Sequence, residues 1–225
     1  MWNAWKDPRL VVAGAADGSP VYAAAATPPL EEMAVAVDLS TRIVRVGTGT
    51  GVLSEKDVAT SIRFGAMPDD TGLVAIIDLE GTKPTPAALR QLLVPMREAM
   101  HGWGNVAYVI SSADEATREI IGWIANANDV GVYVTSSPEH LADAEPAGEL
   151  SASEAHTLDE LNRLGGTLTA SDLSVWIGLP KTAAGNRLVN LARKGYVLRV
   201  QRPRQKGDLF VDPRTIRPHS AVLTN

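Results

Sequence analysis

The 225 residues are 45% hydrophobic and 21% charged, the balance of an ordinary soluble, globular chain long enough for one large domain or two small ones. The lack of cysteine excludes disulfides, thiolate nucleophiles and Cys-ligated zinc, and fits a reducing cytoplasm. The net charge of −5 conceals an asymmetry: residues 1–148 hold 10 basic and 19 acidic side chains and residues 149–225 hold 11 and 7, while within residues 181–217 ten basic side chains face only Asp208 and Asp212. An acidic unit joined to a cationic one is expected, and a cationic surface attracts phosphate backbones.

The opening Met1-Trp2-Asn3-Ala4-Trp5-Lys6-Asp7-Pro8 lacks the unbroken apolar stretch of a signal peptide. Apolar runs such as residues 73–79 are interrupted by Asp or Glu far below the ~20 residues needed to span a bilayer, so a cytoplasmic protein without membrane contact is expected. Leu10-Val11-Val12-Ala13 and Val21-Tyr22-Ala23-Ala24 flank the turn residues Asp17-Gly18-Ser19-Pro20 and predict a hairpin or a pair of edge strands. Residues 33–37 and 42–46, on either side of Asp38-Leu39-Ser40-Thr41, predict a second.

From Ser54 the pattern changes. Ser54 with Asp57 predicts the cap of a helix ending near Gly65, and residues 73–79 predict a strand. Thr85-Pro86 opens a helix with Leu89, Leu92, Leu93, Met96 and Met100 on one stripe. Residues 106–110 form the next strand, Ser112 caps a helix carrying Ile120, Ile121 and Ile124, residues 131–134 form a further strand, and Pro138 starts a short last helix. Strands alternating with helices of this length indicate a largely parallel sheet. Ala144-Glu145-Pro146-Ala147-Gly148 reads as a linker, dividing an α/β domain, 1–147, from a small α+β domain, 148–225.

In the second domain Ser151 and Glu154 have capping-box spacing, with Ala155, Leu158, Leu161 and Leu164 as an apolar stripe before Gly165-Gly166. Thr169 to Asp172 repeats the cap for a two-turn helix that stops at Gly178-Leu179-Pro180. A third helix, 181–194, puts Ala184, Leu188, Leu191 and Ala192 on one side and Thr182, Asn186, Asn190 and Arg193 on the other. Residues 196–200 and 209–211 predict two strands joined by Gln201-Arg202-Pro203-Arg204-Gln205-Lys206-Gly207, whose turn chemistry exposes Arg202, Arg204 and Lys206.

The run Ala170-Ser171-Asp172-Leu173…Gly178-Leu179-Pro180-Lys181-Thr182…Arg187-Leu188…Leu191-Ala192-Arg193-Lys194-Gly195-Tyr196-Val197 resembles the winged helix-turn-helix domain of bacterial transcriptional regulators over the last third of the chain. The resemblance implies duplex DNA as partner, with the third helix in the major groove and the basic loop as a wing on the backbone. Lys181, Thr182, Asn186, Arg187, Asn190, Arg193, Arg202, Arg204 and Lys206 are the candidate DNA-binding residues. In the bland reading the fold docks protein, and Lys194, Arg199 and Arg214 only solvate its surface. Trp176, on the second helix, could touch a DNA backbone or a partner, but packing at a domain seam is the favoured expectation.

Over residues 33–143, Asp78-Leu79-Glu80-Gly81 after an apolar strand, followed by the alternating helices and strands, resembles the STAS domain, the family that includes anti-anti-sigma factors. This implies a small sheet flanked by helices that docks protein partners or small ligands, sometimes switched by serine phosphorylation. The family's Asp-Ser stretch at the head of the helix is replaced by Thr82-Lys83-Pro84-Thr85-Pro86. Thr85 could stand in for the phosphorylated serine, but a threonine before proline is more simply a helix cap.

Gly47-Thr48-Gly49-Thr50-Gly51 could cradle a phosphate but lacks a P-loop's Lys-Ser or Lys-Thr and reads as an ordinary turn. His101, His140, His156 and His219 have no metal-ligand spacing; Asp78 and Glu80 alternate on a strand end, where they could serve as acid, base or metal ligands, and a solvated strand end explains them at least as well. No nucleophile, base and orienting group can be assembled, so neither cofactor nor catalysis is expected. The expected function is a DNA-binding regulator whose N-terminal domain senses a ligand, binds a partner or drives self-association, with a homodimer among the expected forms. The alternatives are a protein-interaction adaptor and, last, an enzyme acting at the Gly47 loop.

Overall fold

The computed structural model describes residues 10–14, 20–24, 38–45, 51–53, 71–202 and 207–216. Leu10–Gly14 (β1) and Pro20–Ala24 (β2) pair antiparallel, as the intervening turn residues predict. Asp38–Arg45 (β3) corrects the second hairpin. It is one continuous strand running through Ser40 and Thr41, held parallel to a later strand from Asp38 opposite Thr71 to Arg45 opposite Asp78. A ladder along the whole strand overrides the local turn preference of its polar residues. Residues 33–37 and the helix expected at 54–65 lie outside the described residues.

Gly51–Leu53 (β4) precedes Thr71–Asp78 (β5) and pairs in parallel with Thr82–Pro84 (β6), just beyond it. Pro86–Trp103 (α1) starts where Thr85 Oγ1 accepts the Ala88 N–H at 3.1 Å. Val106–Ser111 (β7) leads to Glu115–Ala127 (α2), whose cap is Asp114 rather than Ser112: Asp114 accepts the Thr117 N–H at 2.8 Å. Ser112 sits at φ 61° with its hydroxyl turned to Asp78. After Val132–Thr135 (β8) the helix expected at Pro138 shrinks to a single 3-10 turn, Leu141–Asp143. The segment read as a linker contains an edge strand, Glu145–Ala147 (β9), antiparallel to β8. Its Pro146 is tolerated because one side of an edge strand needs no N–H donors.

Ala152–Arg163 (α3) and Ala170–Ile177 (α4) each begin with a complete capping box, Ser151 with Glu154 and Thr169 with Asp172. Between them lies a strand that sequence patterning did not show, Thr167–Thr169 (β10). Gly178 at φ 67° turns the chain into Lys181–Lys194 (α5), with Pro180 at its N-cap. Leu198–Val200 (β11) and Leu209–Val211 (β12) complete a three-stranded antiparallel sheet in the order β10-β12-β11. The described chain is thus mixed α/β, with parallel and antiparallel sheets.

The main sheet has the order β3-β5-β7-β8-β9. Since β5, β7 and β8 succeed one another in both sequence and space, right-handed crossovers place α1 and α2 on the same face. The core agrees. Leu73, Ala75 and Ile77 of β5, with Tyr108 and Ile110 of β7, pack against Leu89, Leu92 and Met96 of α1 and Ile121 of α2. The alternate residues point the other way: Val74, Ile76, Ala107, Val109 and Tyr133 share a cluster with Leu158, Leu188, Leu191, Val197, Leu198 and Phe210. Residues from beyond position 150 therefore cover the sheet's second face. This explains why β5 reads as a continuous apolar run instead of alternating.

Polar contacts join the same halves. Gly131 N donates to the Lys194 carbonyl at 2.6 Å and Arg199 N to the Gly104 carbonyl at 2.8 Å. Tyr133 Oη donates to the Tyr196 carbonyl, and Tyr196 Oη to the Ala147 carbonyl. No described helix is long and apolar enough to cross a membrane.

Candidate nucleic-acid interface

No Asp or Glu occurs between Asp172 and Asp208, so α5 and the first arm of the following hairpin are built without a carboxylate. The helix buries Ala184, Leu188, Leu191 and Ala192. Lys181, Thr182, Asn186, Asn190 and Arg193 are exposed and Arg187 is half-buried. Steps of three and four residues place Thr182, Asn186, Asn190 and Arg193 along one outward stripe, as their spacing predicts.

Among the described residues, Lys181, Arg187 and Arg193 take part in no salt bridge. Their charges are free to meet an external anion. The two Asn amides each offer donor and acceptor atoms beside them. Among the described residues no side chain caps the N-terminus of α5, and its first turn holds no acid, so its leading N–H groups and positive dipole end have no compensating carboxylate.

The other described cations of the C-terminal third are engaged internally. Arg199 Nε donates to Asp208 Oδ2 at 2.6 Å. Arg202 is folded back over its own hairpin, with Nε and Nη2 donating to the Gly207 carbonyl at 3.3 and 3.2 Å. Arg204 and Lys206 lie outside the described residues. Arg214 pairs with the fully buried Asp212 at 2.7 Å and lies over the Tyr133 ring, 5.2 Å from its centroid. Lys194 spans Glu154 at 3.0 Å and Asp129 at 3.8 Å. Lys194, Arg199 and Arg214, which only the bland alternative treated as solvated surface charges, are braces within the fold.

Trp176 does not sit at the seam between the two halves. Its indole N–H donates to Glu160 Oε2 at 2.7 Å and Arg163 covers its ring at 4.7 Å, so it ties α4 to α3. Asp78 is likewise no solvated strand end. It is buried, and its Oδ1 accepts the Ser111 and Ser112 hydroxyls at 3.0 and 2.8 Å, bracing β5 against β7. Glu80 is exposed. Gly51 begins β4, while the preceding glycine loop lies outside the described residues. No group of three or more His, Asp or Glu side chains among the described residues is arranged to hold a metal ion.

Sequence reasoning missed a cavity of about 190 Å3 between the C-terminal end of α2, the start of α3 and the end of α5. Its walls come from three segments far apart in the chain, so no local motif announces it. No family model, no curated protein and no solved structure matches the chain.

Proposed function

We propose that the chain is a cytoplasmic, sequence-specific DNA-binding regulator in which α3, α4, α5 and the β11–β12 hairpin form a winged helix-turn-helix. In this reading α5 enters the major groove. Its free N-terminal N–H groups, Lys181, Arg187 and Arg193 meet phosphates, while Thr182, Asn186 and Asn190 read base edges. The observation that carries the proposal is the carboxylate-free outward face of α5, with three cations that have no salt-bridge partner among the described residues, on a chain whose net charge is −5. The order of helices, turn and hairpin supports it. The STAS-like N-terminal half would sense a ligand, bind a partner or bring two copies together, and it holds α5 through the shared core.

The deciding experiment titrates the full chain with random duplex DNA across a salt series, alongside a variant carrying Lys181→Gln, Arg187→Gln and Arg193→Gln. A steep loss of affinity with salt, shallower by about one unit of slope for each cation that meets a phosphate, establishes the reading. Absence of binding at low salt removes it. The engagement of Arg199 and Arg202 within the hairpin favours the second reading, a protein-interaction adaptor, since it leaves less free charge for a DNA backbone. That reading gains if the chain ignores DNA and captures one stoichiometric protein.

A further inference from the structure

Asparagine is a poor residue for a helix interior, because its amide competes with the backbone for hydrogen bonds. Two asparagines of this chain use that amide internally: Asn105 Nδ2 donates to the Thr71 carbonyl at 2.9 Å and Asn128 Nδ2 to the Ile124 carbonyl at 2.7 Å. Asn186 and Asn190 stand inside α5, both exposed, and their amides have no hydrogen-bond partner among the described residues. The buried Ala184, Leu188, Leu191 and Ala192 set the inward direction of the helix. At about 100° per residue, Asn186 and Asn190 both fall within about 40° of the opposite pole.

The chemistry of that pole is selective. A primary amide carries one acceptor oxygen beside a donor NH2. In the major groove adenine alone sets an acceptor, N7, beside a donor, its N6 amino group, on one base edge. Guanine offers two acceptors and suits Arg or Lys, whereas cytosine offers a donor and suits a carboxylate. Residues 173–207 hold no carboxylate. The cations Lys181 and Arg193 stand on either side of the asparagines in the helix, and Arg187 between them is half-buried and turned off the pole.

We propose that the chain selects duplexes in which two A·T pairs stand two steps apart, one adenine edge taken by Asn186 and the other by Asn190. The inference rests on the reading of α5 as a major-groove helix. The spacing fits: four residues of helix advance about 6 Å, and two base-pair steps advance about 7 Å. Thr182, about 6 Å further toward the start of α5, is also exposed and brings a methyl group suited to the methyl of thymine. The stripe therefore favours an A·T-rich centre, with the cations on the phosphates that flank it.

The test incubates the full chain with duplexes carrying a randomised core, recovers the bound fraction and sequences it. Enrichment of two A·T pairs separated by one pair of any kind is expected. Asn186→Ala should abolish the preference at one of these pairs and Asn190→Ala at the other, whereas Asn126→Ala, at an exposed asparagine of α2, leaves both. Alanine is the better helix former at both positions of α5, and urea midpoints verify that the variants are folded. Replacing either adenine by 7-deazaadenine, which lacks the N7 acceptor, should weaken binding of the original chain about tenfold. It should weaken no further the variant that lacks the asparagine reading that base. Salt-dependent binding without enrichment, with enrichment of G·C pairs, or with an A·T preference that survives both asparagine variants overturns this inference and leaves the DNA-binding reading in place. Recovery of no duplex at low salt removes both.

Discussion

Tyr133 donates its hydroxyl to the Tyr196 carbonyl at 3.1 Å, and the two rings meet edge-on at 6.0 Å. One tyrosine belongs to the parallel sheet and the other follows α5, so this buried pair is a direct bond between the halves of the chain. Tyr133→Phe leaves a buried carbonyl without its donor and is expected to cost about 1–3 kcal/mol in urea unfolding. Because the core is shared, secondary-structure and tryptophan signals should lose stability together along one transition. Two transitions, with only one moved by Tyr133→Phe, would show that the halves unfold independently.

Close packing at the same seam gives a second expectation. A Cβ on Gly131 would collide with the Tyr196 ring, and rings wedged between a strand and a helix end have little room to retreat. Gly131→Ala should destabilise by about 1–3 kcal/mol through overpacking, seen as a lower urea midpoint with an unchanged slope. An unchanged midpoint would mean that the seam is looser than the geometry requires.

Glu154 sets a pH dependence. Its carboxyl is held below its ordinary value of 4.5 in the folded chain, so it contributes stability that is fully present above that value and lost as pH falls through its lower folded-state value. Glu154→Gln removes that term. The stability gap between the original chain and the variant should be widest near neutral pH and narrow below pH 4.5. A gap constant across the acid range would mean that the carboxylate's charge contributes nothing.

On the outward face of α5 the two residue types should separate. Arg193→Ala is expected to weaken binding to every duplex by a similar factor, whereas Asn186→Ala should chiefly relax the preference among sequences, by about 1–3 kcal/mol at the base pair it reads. Equal losses on all sequences for both variants would contradict a base-reading role for Asn186.

Local physics made much of this architecture legible. Thr85, Ser151 with Glu154, and Thr169 with Asp172 cap helices where their spacing places them, because a cap is satisfied within four residues. Reading failed where distant partners decide. Asp38, Ser40 and Thr41 have turn character but are drawn into β3 by Thr71, Leu73 and Val74. Glu145–Ala147 looks like a linker until β8 is beside it, and Thr167–Thr169 becomes a strand only when β12 returns more than 40 residues later. Ser112 has the chemistry of a cap but is diverted by Asp78, 34 residues earlier.

The candidate site divides the same way. The outward stripe of α5 follows from helical period alone and is visible in sequence. The engagement of Arg199 by Asp208 and of Arg202 by the Gly207 carbonyl depends on how the hairpin closes, and charge counting takes all such cations as free. Both faces of β5 are apolar, which signals burial on both sides but does not name the second cover.

That second cover is made last. A chain still emerging from the ribosome completes β5, β7 and β8, and the helices that shield one side of them, before Leu188, Val197 or Phe210 exists. Until then Val74, Ile76, Ala107, Val109 and Tyr133 form a bare apolar surface of the kind that invites aggregation or a chaperone. A truncation near residue 150 would make that interval permanent, so the order of synthesis leaves the protein most vulnerable just before its cationic third arrives.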